Sequence, residues 1–291
     1  MRLSYIRLAD ALVLFCSSRK RVRDAVGRVI ASLIEDERIM GMTTLDAYLY
    51  VLRLKSSEQI SVYDVNSYHR VRRLTVRGVR NAADIVACAH NRCAYISDYE
   101  HNSVHKIALS GDTIAQWPVN DRPSGLSLSL THNVLVTCPH ARKIKEFGTD
   151  GQLLREVVLP DDVVSPMHSV QLSNGEFIVC HGGSANPVSR ACLVSFDGQV
   201  VKSYGRRRHP ALFSRLAVDK NDFVFGVEMK KRQVLLLSPT LTYVRKVVSH
   251  EQFGGHPISA HLDVTRWHLY VADNDYKDGK WSSGRVVVFS R

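Results

Sequence analysis

Short apolar runs recur six times along the chain, and the interval between them is nearly constant. Within each run, β-branched, aromatic and other apolar residues follow one another in the pattern of a buried β-strand. Measured from residues 50, 95, 135, 178, 224 and 270, the second position of each run, the steps are 45, 40, 43, 46 and 46 residues. A repeat of this length made of strands and turns predicts a β-propeller with one blade per repeat.

Turn residues divide each repeat into four strands. Asp-Gly pairs at 150–151 and 197–198 lie between alternating apolar runs, which is a strong hairpin signal, and a Ser-Gly-Asp turn at 110–112 has the same place one repeat earlier. The sequence therefore predicts an all-β, six-bladed β-propeller with four antiparallel strands per blade. In the second repeat the predicted strands cover 84–88, 93–97, 104–109 and 113–117.

The last repeat contains only three predicted strands, so an N-terminal segment must supply the fourth if the ring closes. Residues 28–34 are the candidate, although apolar residues spaced three and four apart between 22 and 34 also fit a helix. We favour the closing strand because closure removes an exposed sheet edge. The expected organisation is a flexible or leader-like segment at 1–24 and one propeller at 25–291. The expected blades are roughly 39–80, 81–122, 123–165, 166–210, 211–255 and 256–291 plus the closing strand.

The first eighteen residues are similar to a secretory signal, but Asp10 shortens their apolar run. The six cysteines contain no Cys-x-x-Cys pair and lie mostly inside strand-like runs, and the chain has no N-glycosylation sequon. We therefore expect buried free thiols and a cytoplasmic protein, with secretion as the alternative. No apolar run approaches the length of a membrane span.

The later blades resemble NHL repeats, the six-bladed propellers found in many tripartite-motif proteins. Residues 262–264, 269–273 and 285–289 follow that family's order of an apolar-Asp strand, a Tyr-Val-Ala-Asp strand and an Arg-Val strand, and 216–219 repeats the first of these. Near Asp98 the chain departs from the family, with His101 where Asn is usual. The resemblance implies a six-bladed architecture and an interaction module that binds protein or single-stranded RNA. It says little about activity.

The formal net charge of +11 is unevenly distributed, with +4 in residues 43–80 and +7 in 206–250, against −2 in each of 81–122 and 158–205. In an up-and-down blade, the second-to-third and fourth-to-first connections share one face, so this excess predicts a basic surface for an acidic partner. A protein segment is the first expectation and single-stranded RNA the second, and there is no DNA-binding motif. The candidate binding residues are Lys55, Arg77, Arg80, Arg206, Arg207, Arg208, Lys230, Lys231 and Arg232.

Local catalytic motifs are absent from the sequence, so any catalytic site must be assembled at the mouth of the central channel. Lactonase-like propellers hold a divalent cation with oxygen ligands, and amidating-lyase-like propellers hold zinc with histidines; both remain alternatives. The candidate mouth residues are Asp84, His168, Ser214 and His261. They supply few oxygen donors and only two imidazoles, whereas a zinc site needs a third ligand. We therefore predict a binding module with no catalytic residue, metal or cofactor.

Overall fold

The computed structural model describes residues 27–54, 58–182, 190–205 and 212–290. Within them the chain forms 24 β-strands and one short 3-10 helix, His250–Gln252. The expected leader-like segment, 1–24, lies outside the described residues.

The strands form six four-stranded sheets, each antiparallel, which are the blades of a propeller. Blade one contains β2 (Ile39–Leu45), β3 (Tyr48–Arg53), β4 (Ile60–Asp64) and β5 (Arg70–Leu74). Blade two contains β6 (Ala82–Cys88), β7 (Cys93–Asp98), β8 (Ser103–Ile107) and β9 (Thr113–Pro118). Blade three contains β10 (Leu126–Leu128), β11 (Val134–Cys138), β12 (Lys143–Phe147) and β13 (Leu153–Val158).

The remaining blades continue the same order. Blade four contains β14 (Pro166–Gln171), β15 (Phe177–His181), β16 (Arg190–Val194) and β17 (Val200–Tyr204). Blade five contains β18 (Phe213–Val218), β19 (Val224–Glu228), β20 (Gln233–Leu237) and β21 (Tyr243–Val248). Blade six contains β22 (His256–Asp263), β23 (His268–Lys277), β24 (Lys280–Ser290) and, as its fourth strand, β1 (Arg28–Glu35). The predicted fold class is confirmed.

The closing strand β1 pairs antiparallel with β24, from Arg28 opposite Ser290 to Glu35 opposite Gly284. The helical alternative is wrong for this segment. A helix would leave the backbone groups of β24 unpaired on one side, whereas the strand satisfies them and buries Leu33. A second link lies at the channel, where the side chain of Asn274 accepts from Ile39 N (3.1 Å) and donates to Ile39 O (2.9 Å). The first and last blades are thus joined by the strand β1 and by the Asn274 side chain of β23.

The apolar core is divided among the interfaces between neighbouring blades. Between blades two and three, for example, Trp117 packs between Tyr95 and Phe147, with ring centroids 6.1 and 6.2 Å apart. The described cysteines, Cys88, Cys93, Cys138, Cys180 and Cys192, are buried and free. No helix among the described residues is long and apolar enough to cross a membrane.

The two faces of the ring differ in charge. We call the face at which the innermost strands (β2, β6, β10, β14, β18 and β22) begin the entry face, and the opposite one the exit face. Every connection of the exit face is described, and together these connections contain three Lys or Arg against seven Asp or Glu, a net −4. The described connections of the entry face contain eight Lys or Arg against nine Asp or Glu, a net −1, so the cationic excess of the described residues lies on the strands.

Candidate binding site at the mouth of the central channel

A register shift near the start of the innermost strand recurs around the ring. It precedes Gly41, Asp84, His168, Arg215 and Ser259. In blade three Gly125 has the corresponding place, with its N–H donating to Met167 O (2.9 Å) and its carbonyl accepting from Thr137 N (2.9 Å). A bulge of this kind re-aims the residue that follows it. The larger side chains of this ring consequently line the central cavity, whose volume is about 260 Å³.

Asp84 and Arg215 form a buried ion pair at this level. Arg215 Nε lies 3.3 Å from Asp84 Oδ2, and both side chains are less than one-tenth exposed. Asp84 also accepts from Ile85 N (3.0 Å) and Leu126 N (2.9 Å), while Arg215 donates to the carbonyls of Ser214 (3.0 Å) and Ala83 (2.9 Å). The pair thus connects blades two, three and five across the channel.

Glycine makes room for these side chains. A Cβ on Gly41 would lie 2.5 Å from Asp84 Oδ1, and one on Gly125 would overlap His168 Cδ2 and lie 2.7 Å from Met167 O. Small and large residues therefore alternate around the ring from blade one to blade four, and this alternation allows the polar cluster to fill the channel.

His168 is neutral at pH 7, because burial lowers its pKa to about 4. Its Nε2 lies 3.0 Å from the Leu126 carbonyl, which can only accept, so Nε2 carries the proton. Nδ1 then has a free lone pair and no hydrogen-bond partner among the described residues.

His261 lies deeper in the channel, where burial again lowers the pKa to about 4. Its Nε2 accepts from Thr44 N (3.0 Å) and is 2.7 Å from Thr44 Oγ1. Both histidines therefore use Nε2 within the protein, and the Asp84 carboxylate is already paired. Over the described ranges, the structure contains no group of three or more His, Cys, Asp or Glu arranged to hold a metal ion.

Above this cluster, the entry face carries an aromatic wall formed by His256, Tyr276 and Trp281. Strands β23 and β24 are the longest in the described part of the chain, and their hairpin continues past the blade on the entry side, with Tyr276 opposite Trp281. The Tyr276 and Trp281 ring centroids are 4.8 Å apart, and His256 lies 5.8 Å from Trp281. Near the hairpin tip, Lys277 and Lys280 are exposed.

Arg38 stands between this wall and the channel. Its guanidinium carbon is 4.7 Å from the Trp281 ring centroid. Burial and, second, the positive charge of Arg215 lower the pKa of Arg38 below its ordinary value. Arg38 forms no ion pair with a described carboxylate, and its buried Nε has no hydrogen-bond partner among the described residues.

The predicted basic residues fall into three groups. Arg77, Arg80 and Lys230 are exposed on entry-face connections, and their side chains form no hydrogen bond or ion pair with the described residues. Lys231 pairs with Glu228 (2.8 Å), and Arg232 donates to Phe253 O (2.8 Å), so these two have structural contacts. Lys55, Arg206, Arg207 and Arg208 lie outside the described residues.

Of the predicted mouth residues, Asp84, His168 and His261 line the same cavity. Ser214 does not; its hydroxyl is 3.5 Å from Val227 O on the neighbouring strand. Arg215, the next residue, has that position instead, and the sequence analysis missed it together with Arg38. The signal for Arg215 was indirect, because only a bulge in β18 brings that residue into the ring.

Comparisons with known proteins support the propeller and no narrower assignment. No protein-family model matches the chain, and no curated protein matches its sequence. A streptogramin B lyase structure is 12% identical, with a TM-score of 0.65 over 89% of this chain and 97% of that one. Virginiamycin B lyase from Staphylococcus aureus is 9% identical, with a TM-score of 0.64 over 90% and 98%. The WD40 β-propeller domain of Doa1 is 12% identical, with a TM-score of 0.62 over 91% and 97%.

At these identities the likeness concerns the fold alone. The neighbours include both lyases and a WD40 domain, so the fold is compatible with an enzymatic role and with a binding role. The relation to NHL repeats stays a prediction.

Proposed function

We propose that this chain is a non-enzymatic interaction module of the NHL type that binds an acidic protein segment on its entry face. The observation that carries the proposal is the set of exposed entry-face cations without a partner among the described residues, opposite an exit face of net −4. Cations that are free of intramolecular ion pairs can attract and contact an acidic partner at no cost in internal interactions.

The polar cluster in the channel supports a structural role over a catalytic one. A catalytic carboxylate or histidine needs a free donor or acceptor directed at the substrate. Asp84 is instead bound by Arg215 and two backbone N–H groups, and His261 accepts from Thr44. The metal-dependent enzyme remains the alternative, with the Nδ1 lone pair of His168 as its best group. A cytoplasmic location belongs to the same proposal, because five buried thiols remain free.

The test is binding of a fluorescein-labelled oligoglutamate, measured by fluorescence anisotropy, to the full chain and to two matched double variants. Arg77→Ser with Lys230→Ser removes two exposed entry-face cations, and Arg92→Ser with Lys220→Ser removes two exit-face cations. We expect the entry-face variant to bind about five- to tenfold more weakly, the loss of two exposed charge contacts, and the exit-face variant to bind like the parent.

Equal losses in the two variants would show that only net charge matters, and absence of binding by the parent would overturn the acidic-segment proposal. Single-stranded oligouridylate is the parallel probe. If it binds more tightly than oligoglutamate and its affinity falls steeply with salt, the partner is RNA instead. Melting temperatures serve as the folding control, because exposed charges contribute little to stability.

A further inference from the structure

Resting on the proposed function, we infer that Arg38, beside Trp281 at the channel mouth, binds one carboxylate side chain of the acidic segment and so fixes where that segment lies. The site consists of Arg38, Arg215 and the aromatic wall. It goes beyond a general attraction of charges, because it assigns one anionic group of the partner to one place on the ring.

Arg38 is a cation of the mouth that has no ion pair among the described residues. Arg215 is neutralised by Asp84 at 3.3 Å, and His168 is neutral, so the charge of Arg38 is left over. Glu37 precedes Arg38 in the chain but forms no ion pair with it. The buried Nε of Arg38 has no hydrogen-bond partner among the described residues, and burial together with the charge of Arg215 disfavours this cation, so an incoming anion would stabilise it.

The Arg38 side chain is held in a geometry that suits a carboxylate. The Arg38 guanidinium lies against the Trp281 ring, which leaves its N–H groups for a ligand and holds the planar group in a fixed orientation. A carboxylate matches that planar fork, and the surrounding rings of Tyr276 and His256 supply apolar surface for the residue next to it. In the acidic partner segment, the dipeptide that fits this site best is therefore an Asp or Glu followed by an aromatic or aliphatic residue.

Exposed cations without an ion pair lie on both sides of Arg38 around the ring. Lys230 lies on the connection inside blade five, and Arg77 and Arg80 lie on the connection from blade one to blade two. Blade six, with Arg38 at its border to blade one, stands between them. A segment in contact with both groups passes over blades six and one, where Arg38 lies, so an internal side chain of the segment, not a terminal carboxylate, is the one placed to reach Arg38.

The experiment is a double-mutant cycle between protein and peptide. The peptide is an oligoglutamate with a central Glu-Phe, compared with the same peptide carrying Gln-Phe. The protein variants are Arg38→Gln and, as the matched control, Arg122→Gln. Arg122 is an exposed arginine on the same face, at the border of blades two and three, and its guanidinium carbon lies 5.2 Å from the Tyr99 ring centroid in a similar cation–π contact.

We expect Arg38→Gln to lower the affinity for the Glu-Phe peptide about tenfold, which is the loss of one charge-assisted contact. The affinity for the Gln-Phe peptide should change less than twofold. Arg122→Gln should affect both peptides equally and by less than twofold. A change in Trp281 fluorescence on binding, absent in Trp281→Phe, places the ligand at the mouth. Amidating the peptide's C-terminus should leave affinity unchanged.

The two levels of the proposal fail differently. If the parent protein binds neither peptide, the proposed function is wrong. If the parent binds, and Arg77→Ser with Lys230→Ser weakens binding while Arg38→Gln behaves like Arg122→Gln, only the mouth site is wrong. Loss of affinity on C-terminal amidation would assign the mouth to a chain terminus, and an Arg38-dependent preference for oligouridylate would assign it to phosphate. Each of these two results overturns the inference.

Discussion

Replacing Asp84 with alanine should destabilise the fold strongly, because it leaves a guanidinium uncompensated inside the channel. The carboxylate pairs with Arg215 at 3.3 Å and accepts from the amides of Ile85 and Leu126. Removing one partner of a buried ion pair costs about 3–5 kcal/mol. Arg215 keeps its bonds to the carbonyls of Ser214 and Ala83, so we place the loss near 3 kcal/mol, at the lower end of that range.

The assay is equilibrium unfolding in urea followed by far-UV circular dichroism. A change in midpoint at constant slope reports stability, and about 3 kcal/mol is a large part of the 5–15 kcal/mol typical of a domain. Arg215→Met alone leaves the opposite charge uncompensated and should cost a similar amount. The double variant, Asp84→Ala with Arg215→Met, should recover much of the loss, since it leaves no unpaired charge.

A loss of less than about 1 kcal/mol for Asp84→Ala would refute the reasoning, because it would equal the effect of an exposed pair. A stability loss in the double variant that exceeds the sum of the two single losses would refute it as well.

Three further predictions concern the ring. Gly125→Ala should lower the melting temperature by several degrees, because its Cβ would overlap His168, whereas Gly27→Ala, which meets nothing within 4 Å, should have no effect. Stability should level off above about pH 7.5 and fall toward pH 4, because the lowered pKa values of His168, His181 and His261 make the unfolded chain bind more protons in that interval. His261→Gln should reduce the fall, and a flat profile would contradict the assignment. Deleting residues up to the end of β1 should cause concentration-dependent association, detectable by light scattering, since it exposes the edge of β24.

The architecture could be predicted because it repeats. The apolar period and the turns gave six blades, and the missing fourth strand of the last blade pointed to residues 28–34. These signals are local, or they follow from the need to satisfy a sheet edge, so no long-range geometry was required.

The details of the mouth could not be predicted, because they depend on bulges and on blades brought together by closure. A one-residue bulge in β18 brings Arg215 to the channel in place of Ser214, and the alternation of residues along the strand gives no sign of it. Arg38 and Trp281 are far apart in sequence and meet only because the ring closes. The sequence predicts Lys231 and Arg232 as binding residues for an acidic partner. In the structure Lys231 forms an ion pair with Glu228, and Arg232 donates a hydrogen bond to the Phe253 carbonyl.

The pairing of β1 with β24 also sets a time order for folding. Glu35 and Gly284, which face each other in this seam, are 249 residues apart along the chain. At a synthesis rate of roughly 5–20 residues per second, β1 waits about 10–50 s for its partner strand to be made, while the hairpins of the earlier blades can form locally. In a flexible chain, closing a loop of this length costs about 5 kcal/mol of entropy by the logarithmic rule, and this cost falls once the intervening blades have formed. The seam is therefore the last part of the ring to form, and until it does the newly made chain presents an open strand edge that a chaperone or a second copy can reach.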